Sequence, residues 1–184
     1  MKKESIGILI IIGTITLVSC NDIKRNIQSE SEAFKLYTSK DTFLVDQQVT
    51  RQIPTVDRIV RIEKNRSILE KLTIIADSLS DYYFNGLGLE VTIDQDNSNK
   101  DSTYVIVNLL EKDSYDGPGS LPSYQSWYDF FQGSAGGLNT QITLEESFLQ
   151  KEFYGLWIAG VRFFYQGSPI EQWDHLNLSG LKTR

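Results

Sequence analysis

The chain has little of what most catalytic and metal-binding chemistry uses. It carries one cysteine, Cys20, one histidine, His175, and four prolines in 184 residues. A single cysteine excludes a disulfide within one molecule. With one histidine beside it, there is no His/Cys cluster of the kind that holds zinc. A serine triad would have to use His175, which lies between Asp174 and Leu176 in a polar tail. No serine stands in a nucleophile-elbow pattern. Cations are also in deficit, 18 Lys and Arg against 24 Asp and Glu. That acidity argues against nucleic acid as a partner and against a polybasic membrane patch. There is no internal repeat and no low-complexity segment.

What is present begins with the amino terminus. Lys2 and Lys3 precede an apolar run over 6–18, which ends in Leu17-Val18-Ser19-Cys20. The run suits the h-region of a signal and is short for a membrane span. Small residues before a cysteine, directly after an h-region, resemble the bacterial lipoprotein signal. That resemblance implies cleavage before Cys20, diacylation of its thiol and, usually, acylation of the new amino group. The other reading is a plain anchor helix with an incidental cysteine. Residues 20–32 are polar and mixed in charge, the composition of a flexible tether. Removal of 1–19 leaves 165 residues with a formal charge of −7, enough for one domain with a real core.

Within 33–184 the pattern mixes helices and strands. Residues 33–37 and 42–49 read as strands with Ser39-Lys40-Asp41 as a turn, and Gln52-Ile53-Pro54 breaks the pattern. Residues 58–62 read as a strand or the lead into a helix. From 65 to 83 the period is helical, with Leu69, Leu72, Ile75, Ala76, Leu79 and Tyr83 on one face. Ser67 and Glu70 form a capping box, and Asn85-Gly86 is the stop. Two strands follow, 87–93 and 103–110, joined as a hairpin by a polar turn. Residues 111–124 hold two prolines and two glycines and read as a surface loop. Trp127 to Phe131 form one or two helical turns. A glycine-rich turn, Gly133-Ser134-Ala135-Gly136-Gly137, leads into a helix over 138–153. Its expected stripe is Leu138, Ile142, Leu149 and Phe153, with Leu144 and Phe148 beside it. A strand over 158–165 and the turn Gly167-Ser168-Pro169-Ile170 close the series, with a short edge strand in the tail. The class expected is α+β, a mixed sheet with two main helices packed on one face. The connection from 103–110 to 158–165 is long enough for a parallel crossover.

The order helix, alternating strand, turn, second strand ending near Asn108-Leu109, then Gly133 to Gly136, helix, Gly155, strand and Gly167-Ser168-Pro169-Ile170 is similar to the GerMN domain. The similarity covers roughly 58–178. GerMN domains occur in sporulation, germination and other envelope lipoproteins, chiefly as non-catalytic modules, and no active-site motif carries over. The loop 112–124 departs from the family's pattern as an insertion.

No residue is assigned to catalysis, to a cofactor or to a metal. Asp94 to Asp101 superficially resembles a calcium loop, but Asn99 stands where glycine is needed and Val105 where glutamate is needed. Asp113 with Asp116, or Glu145 with Glu146, could in principle cut a glycan. Adjacent helical positions do not face each other, which makes Glu145 and Glu146 a poor pair. Trp127, Tyr128, Phe131 and Trp173 are the candidates for an exposed aromatic surface; Trp127, Phe130 and Phe131 share one helical face and could instead be core. The expectation is a lipoprotein held on a cell or outer membrane, facing away from the cytoplasm, by lipid on Cys20. Its domain would bind or assemble with an envelope protein or peptidoglycan. The alternative is a lipid-anchored hydrolase of envelope glycans using paired carboxylates.

Overall fold

The computed structural model describes residues 30–98 and 101–184. The stretch read as a lipoprotein signal, Cys20 and most of the stretch read as a tether lie outside the described residues. The element order is β1 (Ser31–Leu44), β2 (Val49–Glu63), α1 (Ile68–Tyr83), β3 (Gly88–Ile93), β4 (Tyr104–Leu110), α2 (Trp127–Phe131), α3 (Ser134–Leu149), β5 (Gly160–Tyr165), β6 (Ser168–Pro169) and β7 (Leu181–Thr183).

The fold is α+β, with the helices packed against a mixed sheet. β3 pairs antiparallel with β4, and β4 pairs parallel with β5 in the register Tyr104↔Gly160 to Leu109↔Tyr165. The far side of β5 is shared by β6, against Phe164 and Tyr165, and β7, against Gly160 to Arg162. The parallel crossover carries α2 and α3, the length of chain that a parallel connection requires. β1 and β2 form a separate two-stranded sheet.

α1 follows its sequence signals closely. Ser67 Oγ accepts from the Glu70 amide at 3.3 Å, and Glu70 Oε2 accepts from the Ser67 amide at 2.8 Å. This reciprocal box satisfies two of the amides that a helix start leaves free. Leu72, Ile75, Ala76 and Leu79 are buried, while Leu69 faces out. The helix ends where Asn85 and Gly86 adopt positive φ and the Gly86 amide donates back to Ser80 O. Asn and Gly occupy that conformation at the least steric cost.

Five expectations are corrected. Residues 39–41 are not a turn: β1 runs through them, and the chain reverses at 45–48, where the Gln47 amide donates to Leu44 O. Pro54 does not break a strand, because it lies inside β2. The glycine-rich stretch is the first turn of α3 rather than a loop before it, so that helix spans Ser134–Leu149 instead of 138–153. The strand after it starts at Gly160, two residues later than expected. β1 also begins at Ser31, inside the stretch read as tether.

The core lies between the sheet, the two long helices and the base of the hairpin. Phe34, Leu36 and Ile62 enter it from the hairpin, Leu72, Ile75 and Leu79 from α1, Leu144 and Phe148 from α3, and Val105, Val107 and Phe163 from the sheet. Each such side chain contributes roughly 1.5–3 kcal/mol on leaving water. The two buried tryptophans also satisfy their ring N–H groups, Trp127 on Leu110 O at 3.1 Å and Trp157 on Phe148 O at 2.7 Å.

Candidate functional site: an uncovered hairpin arm

α3 buries Leu144, Phe148 and Leu149 as expected, but with polar residues among them. Thr140, Thr143, Ser147 and Gln150 are buried beside Leu144 and Phe148, whereas Leu138 and Ile142 are only half-buried. Thr140 Oγ1 donates to Phe130 O at 2.9 Å, and for Ser147 and Gln150 the reason is β1, whose outer backbone edge lies along the helix. Gln150 Oε1 accepts from the Lys35 amide at 3.0 Å, and Gln150 Nε2 donates to Lys35 O at 2.6 Å. Ser147 Oγ accepts from the Tyr37 amide at 2.9 Å. Asn139 Oδ1 accepts from the Ser39 amide at 2.9 Å. Alternate strand residues present their amides to this side, and helix residues spaced eight and three apart meet them. A buried strand edge must have its polar groups satisfied, and polar side chains on a covering helix do it here.

The cover ends at Ser39. Beyond it the hairpin continues through Lys40↔Ile53, Asp41↔Gln52, Thr42↔Arg51, Phe43↔Thr50 and Leu44↔Val49. That is about 14 Å of paired strand plus a turn. Phe43 is 55% exposed and Val45 68%, with Val49 and Ile53 also exposed. A lone two-stranded ribbon is marginal in water, and an apolar cluster standing off the body marks a surface built for contact. Cross-strand partners share a face. One face of the arm therefore carries Lys40, Ile53, Thr42, Arg51, Leu44 and Val49. The other carries Asp41, Gln52, Phe43 and Thr50.

The outer edge of β2 is blunted. Ser39 is paired with Pro54, and the Ser39 amide points away from β2 toward Asn139. In an antiparallel rung both residues then point their amides outward, so the N–H that Pro54 lacks is an outward one. Proline is tolerated at just such an edge position. A bulge follows, where the ladder shifts between Leu36 and Tyr37 and Asp57 is the extra residue. Asp57 accepts from Tyr83 Oη at 2.7 Å and pairs with Arg58 Nε at 3.3 Å, and the Arg58 guanidinium lies 4.4 Å from the centre of the Tyr82 ring. Burial, reinforced by the bond to Asp57, pushes the Tyr83 hydroxyl pKa up. These contacts fix the middle of β2 on the end of α1 and leave the distal arm free.

The four aromatic candidates separate. Trp127 and Phe131 are core, at 0% and 1% exposure, which removes them from any exposed patch. Tyr128 and Trp173 are half-buried and meet edge to face at 5.7 Å. Beneath them Glu111 accepts from the Trp127 amide at 2.9 and 3.0 Å and from Tyr165 Oη at 2.9 Å. Burial and that carboxylate push the Tyr165 hydroxyl up.

The other candidates are likewise placed. His175 Nδ1 lies 3.3 Å from Ser134 Oγ, with both residues exposed. Glu145 pairs with Lys182 at 3.3 Å and Glu146 with Lys151 at 2.7 Å. Burial raises the Glu145 carboxyl pKa, with Lys182 opposing. Asp113 and Asp116 stand exposed on the loop after β4. Asp94 is buried, bonded to Asn97 at 2.8 Å and 3.4 Å from Arg162 Nε, the anchor of a hairpin turn. Among the described residues no group of three or more His, Cys, Asp or Glu side chains could hold a metal ion.

Sequence reasoning missed the arm. The available signal was the Thr, Val and Ile content of 49–62, too rich in β-branched residues for a loop. No family model matches the chain, and neither a curated protein nor a solved structure matches it.

Proposed function

We propose that this chain is an envelope lipoprotein, anchored by lipid on Cys20, whose GerMN-like domain binds or assembles rather than catalyses. Its partner is an envelope protein or peptidoglycan. The observation that carries this reading is the arm: a hairpin that leaves the body at Ser39 and holds Phe43, Val45, Val49 and Ile53 in water. Apolar side chains kept outside a well-filled core cost solubility unless something covers them. β1 starts at Ser31, about ten residues after Cys20. A leash of that length reaches roughly 30 Å when extended. Confinement to one membrane surface would raise the arm's local concentration and let modest contacts suffice.

The test has two parts. Intact-mass analysis of the native product should show cleavage before Cys20 and added acyl chains. Pull-down from detergent-solubilised envelope, run beside a peptidoglycan sedimentation assay, should show capture that Phe43→Ser with Val49→Ser reduces at least ten-fold. An unmodified residue 20 would remove the anchor. Failure of both capture assays would remove the binding role, and capture indifferent to the arm variant would move the site elsewhere.

A further inference from the structure

The cations of the hairpin differ from the rest. Among the described residues outside it, each Lys and Arg has an ion pair or a side-chain hydrogen bond. On the hairpin, Lys40, Arg51 and Arg61 have neither among the described residues. Lys40 and Arg51 lie on one face of the distal arm, in the rungs Lys40↔Ile53 and Thr42↔Arg51. That diagonal places them about 7–8 Å apart, with Ile53 and Val49 between and beyond them. That face of the arm is thus cationic and apolar, with Asp41 on the opposite face and Asp46 in the turn. The rest of the domain, residues 64–184, is the opposite, with nine Lys and Arg against sixteen Asp and Glu.

α1 offers the complement. Glu70, Ile74, Asp77 and Asp81 follow one stripe of the helix by their spacing of four, three and four. Asp77 and Asp81 are exposed and about 5–6 Å apart. Neither is in an ion pair among the described residues. At the amino end of the stripe, Leu69 and Ile74 line a shallow depression of about 330 Å³ with Ser67, Glu70, Thr73 and Arg66, whose charge is matched by Glu63 and Glu70.

We propose that a second copy of this chain covers this face of the arm, with Lys40 and Arg51 set against Asp77 and Asp81 and the apolar residues of the same face, Ile53 and Val49, on Leu69 and Ile74. Two other occupants fit less well. An added strand would meet Pro54 and the bulge on the open edge of β2, and on β1 it would find only the short stretch 40–44 beyond the cover of α3. A bilayer would have to bury the Asp46 carboxylate at the apex of the turn, at high cost. A single arm face, about 14 Å by about 10 Å, is small beside the roughly 800 Å² per partner of a stable interface. Reciprocal exchange, each arm on its partner's α1, doubles the contact to about 280 Å² and closes the pair with two-fold symmetry, the size of a weak, concentration-dependent association.

The proposal concerns the purified protein alone, so the capture assays above can fail without touching it. Full-length lipidated protein in density-matched detergent is sedimented at micromolar concentration in low salt. A dimer is expected, weakened at least ten-fold by high salt or by Lys40→Glu with Arg51→Glu. Asp77→Lys with Asp81→Lys should weaken it similarly, and the protein carrying all four changes should regain it. Carbodiimide treatment of mixed light and heavy isotope-labelled protein should join Lys40 of one copy to Asp77 or Asp81 of the other. A monomer in low salt overturns the proposal. So does a dimer that ignores the charge reversals, or cross-links confined to one copy.

Discussion

Gln150 is the most committed single residue of the hairpin base. Its backbone is in the left-handed region at φ 46°, and its side chain holds both the amide and the carbonyl of Lys35. A left-handed glutamine is unfavourable unless contacts compensate. Gln150→Leu keeps the volume and strands two buried backbone groups, each costing about 1–3 kcal/mol. Chemical unfolding should show a loss of about 3 kcal/mol. Gln150→Glu should lose nearly as much, since a carboxylate cannot donate to Lys35 O. Equal stability of Gln150→Leu and the parent chain would show that water replaces the side chain. Glycine has the converse role at Gly137, where a Cβ would sit 2.5 Å from the backbone O of His175. A backbone atom held by the Trp173–Leu176 bridge and by the Asn177 amide on Gln141 has little room to yield. Gly137→Ala should therefore push the turn 173–176 off α3, cost about 1–3 kcal/mol and red-shift the emission of Trp173. Unchanged emission and stability together would mean the helix moves instead.

At the level of elements, the two strands of the hairpin solve the open-edge problem differently. β1 is covered by a helix as far as Ser39, and β2 carries Pro54 and a bulge. Pro54→Val restores an outward amide in a strand already rich in Val, Ile and Thr, and that change should turn the edge into a template. Light scattering on warming should rise faster for the variant, with the unfolding midpoint little changed. A variant as soluble as its parent would show that the bulge alone protects the edge. These devices also explain what sequence could and could not reveal. α1 was legible because capping box, apolar period and Asn85-Gly86 stop all agree, and β3, β4 and the crossover were legible because alternation and spacing agree. The hairpin was not. Ser39-Lys40-Asp41 looks like a turn only until Asn139 is known to lie beside it, and Pro54 looks like a breaker only if the strand is assumed to have neighbours on both sides. α3 was legible in part: Leu144, Phe148 and Leu149 are buried as expected, but a helix serving a strand edge also needs polar residues on its buried side, so apolar periodicity missed Ser147 and Gln150 and overrated Leu138 and Ile142. Trp127 and Phe131 could be taken for a binding surface because helical spacing alone does not say which side of a short helix the core is on.

For the molecule as a whole, closure depends on its carboxyl end. β7 lies along β5, and Lys182 reaches from it to Glu145 of α3 and to Asn177 O. Gly160 permits the approach, because a Cβ there would stand 2.6 Å from Lys182 O. The closing pair has a cost that depends on pH. Burial raises the Glu145 carboxyl pKa above its ordinary 4.5, against the pull of Lys182 and Lys151. From about that value up to the raised one, the folded chain holds more protons at this site than the unfolded chain. The free energy of unfolding therefore falls as pH rises through that window, and levels off above it. Glu70 contributes the reverse slope. The bonds from Ser67 hold its carboxyl low, so its contribution is present above 4.5 and lost as pH falls through the folded value. A whole-protein pH profile mixes the two, so the difference between the parent and Glu145→Gln isolates the first. That difference should be near zero below pH 4, where both side chains are neutral, and should grow in favour of glutamine toward pH 7. If glutamine is instead the less stable at neutral pH, the pair with Lys182 outweighs burial, and β7 is held by charge rather than in spite of it.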